Sequence, residues 1–138
     1  MRTVFGAALL ACLTLATAGR AENLGYPAQD LLSTQADVLG RGITYPSGPA
    51  KVSSAIVTIK PGESGQLHRH QIPMYAYVLQ GEITVDYGPH GTRTFRKGDA
   101  LVEAQEVPHR GMNKGSEPVA LLVVYIGAEG VASVVPVE

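Results

Sequence analysis

Pro61-Gly62-Glu63-Ser64-Gly65-Gln66-Leu67-His68-Arg69-His70 is the stretch on which the reading of this chain turns. One residue separates His68 from His70. On a strand, side chains alternate between faces with a period of two, so both imidazoles look into one space. His109 follows in Val107-Pro108-His109-Arg110-Gly111-Met112-Asn113, after a hairpin's worth of strand and turn signals. Three neutral imidazoles converging from different strands make a transition-metal site with positions left open. The candidate metal ligands are therefore His68, His70 and His109.

Around this stretch the pattern is β. Ala55 to Lys60 is rich in β-branched residues and ends at Pro61-Gly62. Met74 to Gln80 and Glu82 to Tyr87 flank Gly81 as the arms of a tight hairpin. Tyr87 to Gly91 is a further turn, and Thr92 to Arg96 alternates before the turn Lys97-Gly98-Asp99. Short strands are expected over Ala100 to Ala104 and Val107 to Met112. Pro118 to Ile126 is the longest apolar strand and reads as buried on both faces. Val131 to Val137 suits either a final edge strand or an arm exchanged with a partner. Ala28 to Ser33 suits a helical turn or an edge strand. Many short, regularly spaced strands with no convincing amphipathic helix predict an all-β sandwich or closed barrel.

The N-terminus reads differently. Arg2 followed by the apolar run Val4 to Ala18 and small-residue cleavage sites near Ala21 has the form of a signal peptide. The run is short for a membrane span. Cys12 lies inside it in a faint lipobox, but the run continues past the cysteine. The expectation is a signal peptide at 1–21, an N-terminal arm with a first strand at 22–50, and one β-barrel domain at 51–138, periplasmic or secreted. Losing Arg2 and Arg20 leaves nine of the 11 Lys and Arg against 12 acids. A weakly acidic domain with no basic run and no Trp argues against nucleic acid, and nothing favours a membrane surface after cleavage. With Cys12 removed, neither disulfides nor thiolate ligands are available.

The spacings then resemble those of the cupins, small jelly-roll β-barrels with a metal in the barrel mouth. Gly62, His68, His70 and Gly81 fall on the first cupin motif. Gly98-Asp99, Pro108-His109 and Asn113 fall on the second. The resemblance covers about Ala55 to Tyr125 and implies an all-β jelly-roll barrel in a single domain. It also implies a divalent transition metal (Mn, Fe, Co, Ni, Cu or Zn), a small-molecule ligand or substrate, and a homodimer. Two positions depart from it. Met74 stands where the first motif has a glutamate, and a thioether cannot supply that charge. Glu103 and Ala104 stand where the second motif has an apolar residue and a proline. If Glu103 keeps the inward orientation of that apolar residue, its carboxylate enters the cavity, where burial without a partner is costly. Glu103 is therefore the candidate catalytic residue, as a metal ligand or as a general acid/base beside the metal.

The remaining candidates read more plainly. Gln66 shares parity with the histidines and suits a pocket wall, a second donor layer or a loop. Met74 suits packing, or a soft contact favouring copper. His90 belongs to a turn, Asn113 to a turn or to the layer behind the ligands, and Tyr75 and Tyr77 pack away from the metal. Two functional classes follow. One is an exported metalloenzyme of dioxygenase, isomerase or lyase type acting on a small oxygenated compound. The other is a non-catalytic periplasmic module that binds metal or a small ligand. The placement of Glu103 discriminates between them.

Overall fold

Turn residues divide the chain into strands, each of which finds an antiparallel partner. The computed structural model describes residues 25–138. Its strands are β1 (Ala50–Ile59), β2 (His68–Arg69), β3 (Met74–Gln80), β4 (Glu82–Asp86), β5 (Thr92–Arg96), β6 (Ala100–Val102), β7 (Arg110–Met112), β8 (Val119–Ala128) and β9 (Val135–Pro136). A single 3-10 turn spans Gly88–His90. The all-β expectation holds. Residues 31–138 form one compact unit, and in the described part of the unit before it, 25–30, there is no helix or strand. The proposed signal peptide at 1–21 lies outside the described residues. Among the described residues no helix is long and apolar enough to cross a membrane.

Four strands make the larger sheet in the order β1-β8-β3-β6, three make a second in the order β5-β4-β7, and β2 pairs with β9. The pairings are antiparallel. Apolar residues on the inner faces of the two larger sheets enclose one cavity, with Leu121 and Val123 from β8 facing Ile83 and Val85 from β4. Gly81 closes the β3–β4 hairpin at a φ of 74°. A Cβ there would sit 2.7 Å from the Pro118 carbonyl oxygen, so both conformation and space require glycine.

Several expectations shift. The first strand opens at Ala50, and between Leu31 and Pro49 the one β-bridge among the described residues is Ala36–Gly42, with Val38 N–H also donating to the Val102 carbonyl. Ala28 to Ser33 forms neither the helical turn nor the edge strand. β8 is not buried on both faces. Val119, Leu121 and Val123 are buried, whereas Ala120, Leu122 and Val124 are only half-buried, because nothing of this unit fully covers the outer face of the sheet. β9 pairs within its own chain, across His68–Pro136 and Arg69–Val135.

Two buried polar side chains tie the strands together. Asn113 donates through Nδ2 to the carbonyls of Ile59 and Glu117, at 3.0 and 2.8 Å, and Oδ1 accepts from Gly115 N–H. It is thus a turn residue, as its place in the sequence suggested. Asp37 accepts from the N–H groups of Leu39 and Arg41, at 2.8 and 3.0 Å, and from Gln105 N–H at 3.3 Å. The Gln105 side chain bonds Thr44 and the Gln71 carbonyl. This clasp fastens the arm to the loop that carries Glu103 and His109.

Candidate metal centre

His68 opens β2, and His109 lies directly across from it. The two residues exchange backbone hydrogen bonds, His68 N–H to His109 O at 3.0 Å and His109 N–H to His68 O at 2.8 Å. Side chains of such a pair emerge on one side. His70, two residues on from His68, emerges on the same side and bridges to Gln105. Period and register together assemble the trio. The ring centroids of His68 lie 5.0 Å from His70 and 4.6 Å from His109, and those of His70 and His109 lie 5.0 Å apart. One candidate ligand nitrogen from each ring lies within 4.8 Å of the others.

Each ring is oriented from behind by a main-chain carbonyl. Nδ1 of His68, His70 and His109 lies 2.8, 2.7 and 2.8 Å from the oxygens of Gln66, Ser133 and Val107. A carbonyl only accepts, so Nδ1 carries the proton and Nε2 presents a lone pair. This is the tautomer that a metal ligand needs. Nε2 of His70 is buried and has no hydrogen-bond partner. Leaving such an acceptor unpaired costs about 1–3 kcal/mol, and a bound cation removes that cost. The donor set and this orphaned nitrogen fit a divalent transition metal.

Burial holds His70 and His109 neutral, with pKa values lowered to about 4. For His70 the Ser133 carbonyl opposes burial, and the neighbouring imidazoles add to it. For His109 the Val107 carbonyl opposes burial, and His68 adds to it.

Glu103 is buried and lines the cavity. Its N–H donates to the Met74 carbonyl at 2.9 Å, so the two residues stand side by side on adjoining segments, at the edge where β3 pairs with β6. Oε1 accepts from the Tyr87 hydroxyl at 2.6 Å and from Ala104 N–H at 2.7 Å. Oε2 lies 3.9 Å from His109 Nε2. Burial pushes the Glu103 carboxyl up from its ordinary value, against the pull of its two donors. Burial, and then the Glu103 charge, pushes the Tyr87 phenol up.

The cavity holds about 470 Å³ and is walled chiefly by aliphatic side chains, with Met74 and Tyr125 beside the imidazoles. No Lys or Arg lines it among the described residues. Of the alternatives for Gln66, the loop reading holds. Its side chain is not part of the wall, and its contribution is the carbonyl that orients His68. His90 sits exposed in the 3-10 turn. Tyr75 and Tyr77 leave the opposite face of β3 from Met74. Sequence reasoning passed over Tyr87 and the carbonyl of Ser133. Tyr87 had a signal, an aromatic at a strand end before a Gly-Pro turn, but its partner lies sixteen residues away.

Residues 55–125 match the cupin domain model. This chain belongs to the cupin family. Among solved structures it is similar to the oxalate decarboxylase of Lactobacillus farciminis in a formate complex. That likeness has 30% identity and a TM-score of 0.53 over 62% of this chain and 26% of that one. A Bacillus subtilis oxalate decarboxylase with Mn(II) centres is similar at 26% identity and a TM-score of 0.51, over 62% and 24%. A structure of DMSP lyases shares the fold at 16% identity and a TM-score of 0.54, over 63% and 44%. The chain thus spans about a quarter of the length of the oxalate decarboxylases it matches. No curated protein matches the sequence. With the family shown, the jelly-roll expectation stands.

Two outcomes follow. His68→Ala removes one of the three imidazoles, so purified protein loses stoichiometric metal by mass spectrometry, and equal content in variant and wild type would refute the site. The second concerns the metal-free protein. Folded His70 and His109 stay neutral to about pH 4, whereas unfolded histidines take up protons near 6.5. Between those values the unfolded state binds more protons, so stability is held above pH 6.5 and is lost as pH falls toward 4. Glu103, with its raised pKa, contributes the opposite slope, so the measurement belongs in Glu103→Gln. There the urea midpoint drops on acidification from pH 7 to 4.5, and a flat or rising midpoint counts against neutral imidazoles.

Proposed function

We propose that this cupin is an exported, metal-dependent enzyme acting on a small oxygenated compound. Among the dioxygenase, isomerase and lyase types, proton-transfer chemistry of the isomerase or lyase kind suits it best. The observation that carries this reading is the buried Glu103 carboxylate, with one oxygen facing the cavity beside His109. On the family's motif the glutamate belongs at position 74, where this chain has Met74. We read Glu103 as carrying that carboxylate from the adjoining strand.

His68, His70 and His109 are the residues that hold the metal. A divalent transition metal bound by them supplies Lewis acidity and open positions for a substrate oxygen. Glu103 takes up or returns a proton at Oε2. Its burial raises its proton affinity, which suits a carboxyl group that both gives up and takes back a proton. The aliphatic walls take up the apolar body of the substrate. With no Lys or Arg in the described lining, a dianion such as oxalate or a phosphate ester finds no side-chain countercharge. A compound with one oxygen-bearing end and an apolar body fits better.

The test is turnover of small oxygenated acids, alcohols and carbonyl compounds, followed by proton NMR. Glu103→Gln retains metal and loses about 10²–10⁴-fold in rate. Metal loss in Glu103→Gln would instead make Glu103 a ligand. Binding without turnover by wild type would leave a non-catalytic binding module.

Two copies are proposed to associate through the outer face of the four-stranded sheet. Val52, Ile56, Leu122, Val124, Tyr75 and Tyr77 share that face, and Ile56 is 59% exposed. No charged side chain interrupts it, so it offers an ionic partner nothing, and a like apolar face is its complement. Wild type should sediment as a dimer and Ile56→Lys as a folded monomer. A monomeric wild type at micromolar concentration rejects the interface.

A further inference from the structure

The Tyr87 hydroxyl is the notable group behind the metal site. Tyr87 is completely buried, and its ring packs 5.6 Å from that of His109. Phenylalanine would fill the same space. A buried phenol hydroxyl has to be paired, and this one spends its hydrogen bond on Glu103 Oε1. Ala104 N–H donates to the same oxygen. Oε1 therefore takes both donors and Oε2 takes none. Oε2 is not sealed off, since among the described residues His70 Nε2 is the sole fully buried side-chain N or O atom without a partner. The free oxygen opens onto the cavity.

We propose that Tyr87 is a positioning residue that pins Oε1, leaves Oε2 as the single working oxygen of Glu103, and holds that carboxylate at the edge of the three imidazoles. This rests on the reading of Glu103 as the proton carrier beside a metal. The physical need is plain. The terminal torsion of a glutamate is soft and roughly two-fold. An unpinned carboxylate in an apolar cavity would turn toward the strongest positive charge available. With metal bound, that charge is the cation. A carboxylate captured as a ligand no longer carries protons. The Ala104 N–H belongs to the adjacent residue and constrains the torsion less than a donor from a separate strand does. Tyr87 stands on the opposite sheet's side of the cavity, at the end of β4, so its hydroxyl braces Glu103 from across the core.

The test uses full-length mature protein loaded with Co(II), whose visible absorption reports the ligand set. Wild type and Glu103→Gln should give the same spectrum, because Glu103 is not a ligand. Tyr87→Phe should shift and lose intensity as Glu103 enters the ligand set, and Tyr87→Phe/Glu103→Gln should revert to the wild-type bands. An unchanged Tyr87→Phe spectrum overturns the proposal, as does a Glu103→Gln spectrum unlike that of wild type. Failure of wild type to bind Co(II) sinks the metal reading alone. The pinning is then decided by crystal structures of metal-free wild type and Tyr87→Phe. A turned carboxylate in the variant supports it, and Glu103 in an unchanged rotamer overturns it.

Discussion

The site depends on one pair of backbone hydrogen bonds, those exchanged between His68 and His109. They are an ordinary antiparallel contact, worth about 0.5–1.5 kcal/mol each in net stability. Their value to the site is geometric. They set the register between two segments far apart in sequence, and a slip of one residue would turn one imidazole to the other face. Arg69 and Arg110, the next residues on each chain, point away from the cavity for the same reason. β9 supports the other edge of β2, so the ligand strand is gripped from both sides.

The loop from Glu103 to His109 carries strain to hold this arrangement. Glu106 has a φ of 61°, the one left-handed residue other than glycine among those described. Such a conformation costs on the order of 1–3 kcal/mol. It reverses the chain so that Glu103 and His109, on either side of it, both face inward. Several contacts offset the cost. Glu106 N–H donates to the His70 carbonyl at 2.8 Å, its carboxylate pairs with Arg69, and the Asp37 clasp fixes Gln105. The arm before β1 is thus more than a tether, because Asp37 and Thr44 brace the loop that carries Glu103 and His109.

Much of this was legible in the sequence, for reasons that can be named. The trio of histidines followed from a period of two in one segment and from turn signals that brought a second segment alongside. β3 and β5 were read to their ends because glycine and lysine-glycine-aspartate turns bound them. What escaped was whatever depended on partners distant in sequence. β8 is apolar at nearly every position, and its composition cannot tell a doubly covered strand from one whose outer face is only half-buried. At Gln66 the group that orients His68 is the main-chain carbonyl, which every residue possesses, so no side-chain pattern marks it. The Tyr87–Glu103 bond joins residues whose proximity exists only once β4 and the loop after β6 pack together.

The placement of Glu103 beside Met74 gives the site its chemical character. Glu103 N–H bonds the Met74 carbonyl, so the two side chains start from neighbouring points on adjacent chains. A carboxylate projecting from either point reaches the same cavity, but its support differs. From Glu103 it meets the Tyr87 hydroxyl and the Ala104 N–H, whose two hydrogen bonds pull its proton affinity down while burial pushes it up. Met74 meanwhile gives the wall an apolar, adaptable surface where a charge would otherwise compete for the cation. A divalent ion held by His68, His70 and His109 alone would keep its full charge, because imidazole nitrogens bring none of their own. Glu103 Oε2, 3.9 Å from His109 Nε2, is the nearest carboxylate oxygen that could answer that charge. On the proposed reading, the position of Glu103, set by the Tyr87 hydroxyl and the Ala104 N–H, is the structural variable on which the site turns.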